Sequence, residues 1–188
     1  MHPLEKFKFC PVCGSPQFEI SSEKSRKCKS CGFEYFFNPS SAVVAFISNE
    51  KGELLVERRR KDPAKGTLDL PGGFSDLHET VEESVIREIR EETGLEVTES
   101  EYLFSLPNIY RYSGMDIHTL DLFFNCKVKD FTHLKAMDDA SECIWIAPED
   151  IRTEDFGLGS IRKGIDKYMN VTEDDIKQTV MSTSKIKR

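Results

Sequence analysis

Glu88, Glu91 and Glu92 crowd into a little over one helical turn of chain, with Arg87 beside them and Glu79 a few residues upstream. Clustered carboxylates repel one another and resist desolvation unless a cation neutralises them. Oxygen ligands at this density suit a hard divalent ion, Mg²⁺ or Mn²⁺, and Mg²⁺ keeps waters that a phosphate substrate can displace. Just upstream, Pro71-Gly72-Gly73 reads as a tight turn whose carbonyls, Gly72 first among them, offer a neutral ligand to the same ion. A second ligand set lies near the N-terminus. Cys10-Pro11-Val12-Cys13-Gly14 and Cys28-Lys29-Ser30-Cys31-Gly32 are two C-x2-C-G knuckles separated by fourteen residues. Cys10, Cys13, Cys28 and Cys31 at that spacing predict a closed tetrahedral Zn²⁺ site, favoured over two disulfides and over a redox pair, since neither knuckle opens a helix after a strand.

These groups need elements to hold them. On an ideal helix, Val81, Val85 and Ile89 form an i, i+4, i+8 stripe facing a core, while Glu79, Glu83 and Arg90 point away. Thr80 with Glu83 makes a capping box and Gly94 supplies the C-terminal stop, which predicts a helix from Val81 to Thr93. Glu88 and Glu92 fall at the edge of the apolar stripe. Residues 42–47 read as a buried strand. Asn49-Glu50-Lys51-Gly52 turns the chain into Leu54–Glu57, with Arg58, Arg59 and Arg60 at that strand's end. Tyr102–Leu106, Thr119–Val128 and Cys143–Ile146 are further strands, and short helices are expected from Pro148 and over Ser160–Met169. The organisation expected is a zinc ribbon over residues 1–37, a core domain over 38–171 and a tail over 172–188, a short helix or disordered. Cys126 and Cys143 read as core residues of strands.

The stretch Gly73–Leu95 is identified as a Nudix box. Gly73, Glu79, Arg87, Glu88, Ile89, Glu91, Glu92, Gly94 and Leu95 fill every fixed position of G-x5-E-x7-R-E-U-x-E-E-x-G-U, where U is a bulky aliphatic residue. The resemblance implies an α/β fold, the Nudix α/β/α sandwich with a mixed sheet, here preceded by a small zinc ribbon. It also implies a catalytic set in which Arg87 orients the metal-binding Glu88, Glu91 and Glu92. The general base is either a box glutamate such as Glu91 or a carboxylate on a later segment, where Glu142 stands; His78 and His118 are weaker candidates.

The ribbon narrows the resemblance to NADH pyrophosphatases, which carry four cysteines before the Nudix domain and a signature SQPWPFPxS after the box. Here that stretch is Ser105-Leu106-Pro107-Asn108-Ile109-Tyr110-Arg111-Tyr112-Ser113. Ser105 and Pro107 match it and Tyr110 replaces its phenylalanine. Read as a loop, it offers Tyr110 or Tyr112 to stack on a base and Arg111 to reach a phosphate, with Arg58, Arg59 or Arg60 as further phosphate contacts. The expectation is a pyrophosphohydrolase acting on a nucleoside diphosphate linked to another moiety, NADH, NAD or ADP-ribose in type. A different sugar-nucleotide specificity is one alternative. A nucleotide-sensing or RNA-associated regulator is the other, though such proteins commonly lose a box glutamate.

Composition limits the partners. A net charge of −7 and a pI near 5.2 argue against general affinity for nucleic acid, and the local cluster Lys24, Arg26, Lys27 and Lys29 reads as a solvated hairpin tip. No apolar run approaches a membrane span. The absence of a signal peptide and the lone cysteines suggest the cytoplasm. The partner expected is a nucleotide-derived small molecule, and a homodimer is compatible with the chain.

Overall fold

The computed structural model describes residues 2–170; the expected tail over 172–188 lies outside them. The first element group is a three-stranded antiparallel sheet, β1 (Phe18–Ser22), β2 (Ser25–Cys28) and β3 (Glu34–Phe36). Its only sizeable core is Phe18 with Cys10 and Cys28, backed by Phe33. So little buried apolar surface offsets little chain entropy, and a cross-link through the cysteines would add to it. The basic cluster divides its roles. Arg26 donates to the carbonyls of Leu4 and Phe7, stapling the N-terminal segment onto the sheet, while Lys27 and Lys29 pair with Glu34 and Glu19.

Beyond Asn38-Pro39 the chain builds two sheets. A four-stranded mixed sheet has the order β7 (Gly72–Phe74), β4 (Ser40–Phe46), β9 (Met115–Val128), β8 (Val97–Tyr112). Its β4–β9 pair is parallel and its other pairs are antiparallel. A three-stranded antiparallel sheet places β5 (Leu54–Arg59) between β10 (Ala140–Ile146) and β6 (Leu68–Asp69). The Leu55 amide donating to the Ile47 carbonyl joins the two.

Strand alternation explains the layers. Val43, Ala45 and Ile47 pack with Val85 and Ile89 of helix α1 (Val81–Thr93) on one side. Val44 and Phe46 pack with Ile161 and Ile165 of helix α2 (Gly159–Asn170) on the other. This is the α/β/α sandwich. Each fully buried Val, Ile or Phe contributes about 1.5–3 kcal/mol, so both helices are held by their stripes rather than by propensity. Helix α1 starts and stops where its local signals say. Thr80 accepts from the Glu83 amide, Glu83 accepts from the Thr80 amide, and Gly94 closes the helix at φ 74°.

Three expectations need correcting. Pro71-Gly72-Gly73 is not a turn, because Gly72 and Gly73 pair with Val44 and Val43 as strand β7. The residues 105–112 are not a loop but the second half of β8, paired to β9 as far as Tyr112↔Met115. A proline there is tolerated because β8 is an edge strand. The segment from Pro148 makes only a single 3₁₀ turn, Pro148–Asp150, since Ile151 is already extended at φ −70° and ψ 122°. No described helix is long and apolar enough to cross a membrane.

Candidate active site and zinc centre

Where α1, β7 and the ends of β5, β8 and β9 meet there is a cavity of about 350 Å³. The wall formed by α1 and β7 carries Glu88, Glu91, Glu92, Arg87, Gly72 and Gly73. Arg87 is its organiser. Its Nε and Nη2 donate to the two Glu79 carboxylate oxygens at 3.0 and 2.6 Å, and its Nη1 donates to Glu88 at 2.7 Å and Glu91 at 3.1 Å. Its Nη2 also reaches the Phe74 carbonyl at 3.0 Å, tying helix to strand. Glu79 thus reaches the cavity wall through Arg87. Its hydrogen bonds from Arg87 and from the Asp76 amide hold its carboxyl down at about 2.

The glycines have a steric reason. A Cβ on Gly72 would lie 2.1 Å from the Val43 carbonyl oxygen, and one on Gly73 would lie 2.6 Å from the Glu88 carboxyl carbon. Without side chains the strand lies directly against the helix carboxylates, and the Gly72 amide donates to Glu92 Oε2 at 2.8 Å.

Glu92 is only 7% exposed, and burial together with the neighbouring Glu57 pushes its carboxyl well above the usual range. Glu57 on β5 is also buried; desolvation and then Asp69 push it up to about 8. Burial raises Glu88 too, against the opposing pull of Arg87. Beside this set, Cys143 places its sulfur 3.9 Å from Glu57 Oε1. Arg87 is already paired with Asp76, Glu79, Glu88 and Glu91, so Glu57 and Glu92 must keep protons or meet a cation. That demand, together with all-oxygen donors on the cavity wall, fits a hard divalent ion bound by Glu88, Glu91 and Glu92.

The opposite lining contains Arg59, Asp69, Asn108, Tyr110, Thr119 and Asp121. Arg59 donates to Asp69 at 2.5 Å and to the Tyr110 hydroxyl at 3.1 Å. Of the three arginines at the end of β5, Arg59 alone lines the cavity. Arg58 is its neighbour on the strand's other face and pairs at 3.0 Å with Glu142, its cross-strand partner on β10. Glu142, the candidate base on a later segment, is not among the cavity-lining residues and forms an ion pair with Arg58 at the surface. Arg60 is exposed.

Alternation along β8 sorts the remaining residues. Asn108 and Tyr110 face the cavity, whereas Ser105, Pro107 and Arg111 take the intervening positions and are not part of its lining. Arg111 pairs with Asp116 at 3.5 Å, and Tyr112 is 62% exposed. His78 and His118 are absent from the lining as well; His118 makes an edge contact with Phe37. Glu57, Asp69, Asn108 and Asp121 were missed in the sequence. The available signal was a lone acid inside an apolar strand run, as in Leu54-Leu55-Val56-Glu57 and Leu68-Asp69-Leu70.

At the ribbon, the sulfurs of Cys10, Cys13, Cys28 and Cys31 all lie within 4.8 Å of one another. Cys10–Cys31 and Cys13–Cys28 are separated by 3.7 and 3.6 Å, close to the roughly 3.8 Å edge of a tetrahedron with Zn–S bonds of about 2.3 Å. The Cys31 amide directed at Cys28 holds that thiol down at about 6. Against the pull of backbone hydrogen bonds, side-chain hydrogen bonding within the cluster and desolvation push Cys13 and Cys31 the other way, and it is the convergence of the four sulfurs that fits structural Zn²⁺. Cys126 is buried and Cys143 half-buried, both in strands as expected, and burial pushes each thiol up to about 12.

Comparison with known proteins agrees with this geometry. Residues 38–166 match the NUDIX domain. The chain is 33% identical over 112 residues to the NAD-capped RNA hydrolase NudC of Deinococcus radiodurans, covering 57% of this chain and 39% of that protein. It is 38% identical over 112 residues to the ADP-ribose pyrophosphatase of Methanocaldococcus jannaschii, covering 58% and 63%. The match thus spans less than two thirds of either relative. A NUDIX hydrolase from Nitrosomonas europaea superposes with a TM-score of 0.66 over 86% of this chain and 90% of its own, at 22% identity.

Proposed function

The chain belongs to the Nudix family, and on that premise we propose that it is a metal-dependent pyrophosphohydrolase acting on a nucleoside diphosphate linked to a second moiety, with ADP-ribose- or NAD(H)-like compounds as the preferred class. The observation that carries the reading is the cavity wall on which Arg87 holds Glu79, Glu88 and Glu91 beside buried Glu92. The reaction adds water across the P–O–P bridge, releasing a nucleoside monophosphate and the phosphorylated moiety.

Bound Mg²⁺ or Mn²⁺ would neutralise the diphosphate and lower the pKa of a coordinated water. The protein's own groups divide the remaining work. Glu88 and Glu92 hold the ion, Glu92 anchored by the Gly72 amide and Glu88 by Arg87. Glu91, with its side chain 45% exposed at the wall, is our candidate to take the proton of the attacking water; Glu142, the other candidate, is not among the cavity-lining residues. Arg59 and Tyr110 are joined by a hydrogen bond and a cation–π contact with the guanidinium 5.8 Å from the ring centroid. They present a cation to the diphosphate and a ring to the base.

The adenine preference draws support from the two relatives above, whose printed substrates share an ADP unit, and from Tyr110, the signature-like aromatic that faces the cavity. The test is a hydrolysis screen over NADH, NAD, ADP-ribose, sugar nucleotides and dinucleoside polyphosphates with Mg²⁺ or Mn²⁺, resolving products. AMP released from an ADP-linked compound is the expected result. Turnover confined to substrates without adenine would reject the preference, and binding without any turnover would reject the enzyme.

A further inference from the structure

Asp121 is a carboxylate built into the cavity lining with no role in the chemistry above. It is 4% exposed, and it stands on β9 between Ala42 of β4 and Leu106 of β8. Thr119 Oγ1 donates to its Oδ1 at 2.6 Å and Ser160 Oγ donates to its Oδ2 at 2.5 Å. Those two bonds use about half of the roughly four acceptor sites of a carboxylate. No cation pairs with it among the described residues, since Arg59 is committed to Asp69. The start of α2 offsets part of its charge. Even so, a buried carboxylate with free lone pairs facing a cavity is an acceptor awaiting a donor.

The neighbours define what the donor belongs to. Leu158 and Ile161 of the α2 end and the ring of Tyr110 add apolar and aromatic surface to the lining that also carries the glutamates. A flat heterocycle lying against this surface would turn a polar edge to Asp121, and only an edge carrying N–H is compatible with an acceptor-only group. We infer that Asp121 is a specificity-determining residue that accepts a hydrogen bond from the amino-bearing edge of the substrate base, the exocyclic amine of adenine. This rests on the reading of the cavity as an adenine-nucleotide pyrophosphohydrolase site.

The test compares ADP-ribose with its analogue bearing unsubstituted purine, which keeps the stacking surface and lacks the amine. The wild-type enzyme should lose about tenfold or more in kcat/KM on the analogue, the scale of a hydrogen bond to a charged group. Asp121→Ala should be slow on both and no longer distinguish them. A residue that only steadies the start of α2 would lower both rates in proportion and leave their ratio untouched. A wild-type ratio within about twofold overturns the inference while leaving the hydrolase reading intact. Failure to hydrolyse any adenine compound overturns both. Should Asp121→Ala not fold, as judged by its melting curve, Asp121→Leu, which keeps the volume without an acceptor, takes its place, and a wild-type ratio retained in it overturns the inference.

Discussion

The ribbon and the cavity both gather metal-ligand side chains, yet they do so in opposite ways. Four sulfurs converge on one point, all within 4.8 Å, the only such group of His, Cys, Asp and Glu ligands among the described residues. The glutamates are instead spread along a wall, each held by its own partner: Arg87 for Glu79, Glu88 and Glu91, the Gly72 amide for Glu92. Thiols can be neutral, so tight knuckle turns can bring them together without penalty. Ionised carboxylates in contact repel, and the fold keeps them apart with an arginine and an amide. The contrast is between a four-sulfur set suited to a structural Zn²⁺ and a carboxylate wall suited to a hard divalent ion that keeps waters for a phosphate to displace.

Removing the ion from each region should expose the difference most strongly at the ribbon. Stripping Zn²⁺, or replacing Cys10 and Cys28 by Ser, should unfold the residues up to about Phe36, because zinc binding there supplies folding free energy on the order of 10–16 kcal/mol. Limited proteolysis should then clip the ribbon and leave a resistant fragment starting near Asn38. Cooperative loss of the whole chain would break the comparison. In the cavity the corresponding changes should silence chemistry and spare the fold. Glu92→Gln and Glu88→Gln are expected to slow turnover about a thousandfold, roughly 4 kcal/mol of transition-state stabilisation, with an unchanged circular dichroism spectrum.

Glu57 sharpens the point further. With its carboxyl pushed up to about 8 by burial and Asp69, the folded state holds a proton that the unfolded chain releases near pH 4.3. Its stabilising contribution is therefore full below about pH 4, shrinks as pH rises, and is gone once pH passes about 8. In Mg²⁺-free buffer Glu57→Gln should flatten that decline and raise stability at pH 8 by about 1–3 kcal/mol, the cost of a buried unpaired polar group. Chemical denaturation at pH 5 and 8 would measure it, and an unchanged pH slope would remove Glu57 from the electrostatics of the site. The smallest effects belong to β8. Tyr110→Ala should cost about 1–3 kcal/mol in kcat/KM if the ring stacks on a base. Arg111→Ala, on the other face, should stay within about 0.5 kcal/mol.

How far the chain could be read before its structure was known depended on the range of the signal. Helix α1 was legible to the residue because Thr80, Glu83 and Gly94 act within one turn of its ends, and the knuckles were legible because their ligands sit in pairs. Of the edge strand β8 only Tyr102–Leu106 was legible. Pro107 and a run of polar residues masked its alternation, so Arg111 and Ser105 were grouped with Tyr110 as though on one loop. Asp121, Asn108 and Glu57 were missed for another reason. Their meaning arises only where β5, β8, β9 and α2 converge; a lone acid inside an apolar run marks Glu57 and Asp121 as unusual, but does not say what they face. Glu142 shows the converse: its position after the box suggested chemistry, and its cross-strand partner Arg58 neutralises it at the surface.

The contact between Gly73 and Glu88 also bears on how such a chain can change over generations. The smallest mutational step at Gly73 would place a methyl group 2.6 Å from the Glu88 carboxyl carbon, so drift there is coupled to displacement of a metal ligand. A few positions along the same connection, Leu77 is 88% exposed and can vary without touching the glutamates. The segment entering α1 is therefore divided between one site where substitution is penalised at once and one where it is nearly free. Variant lineages can change Leu77 while the seat of the glutamates stays as it is.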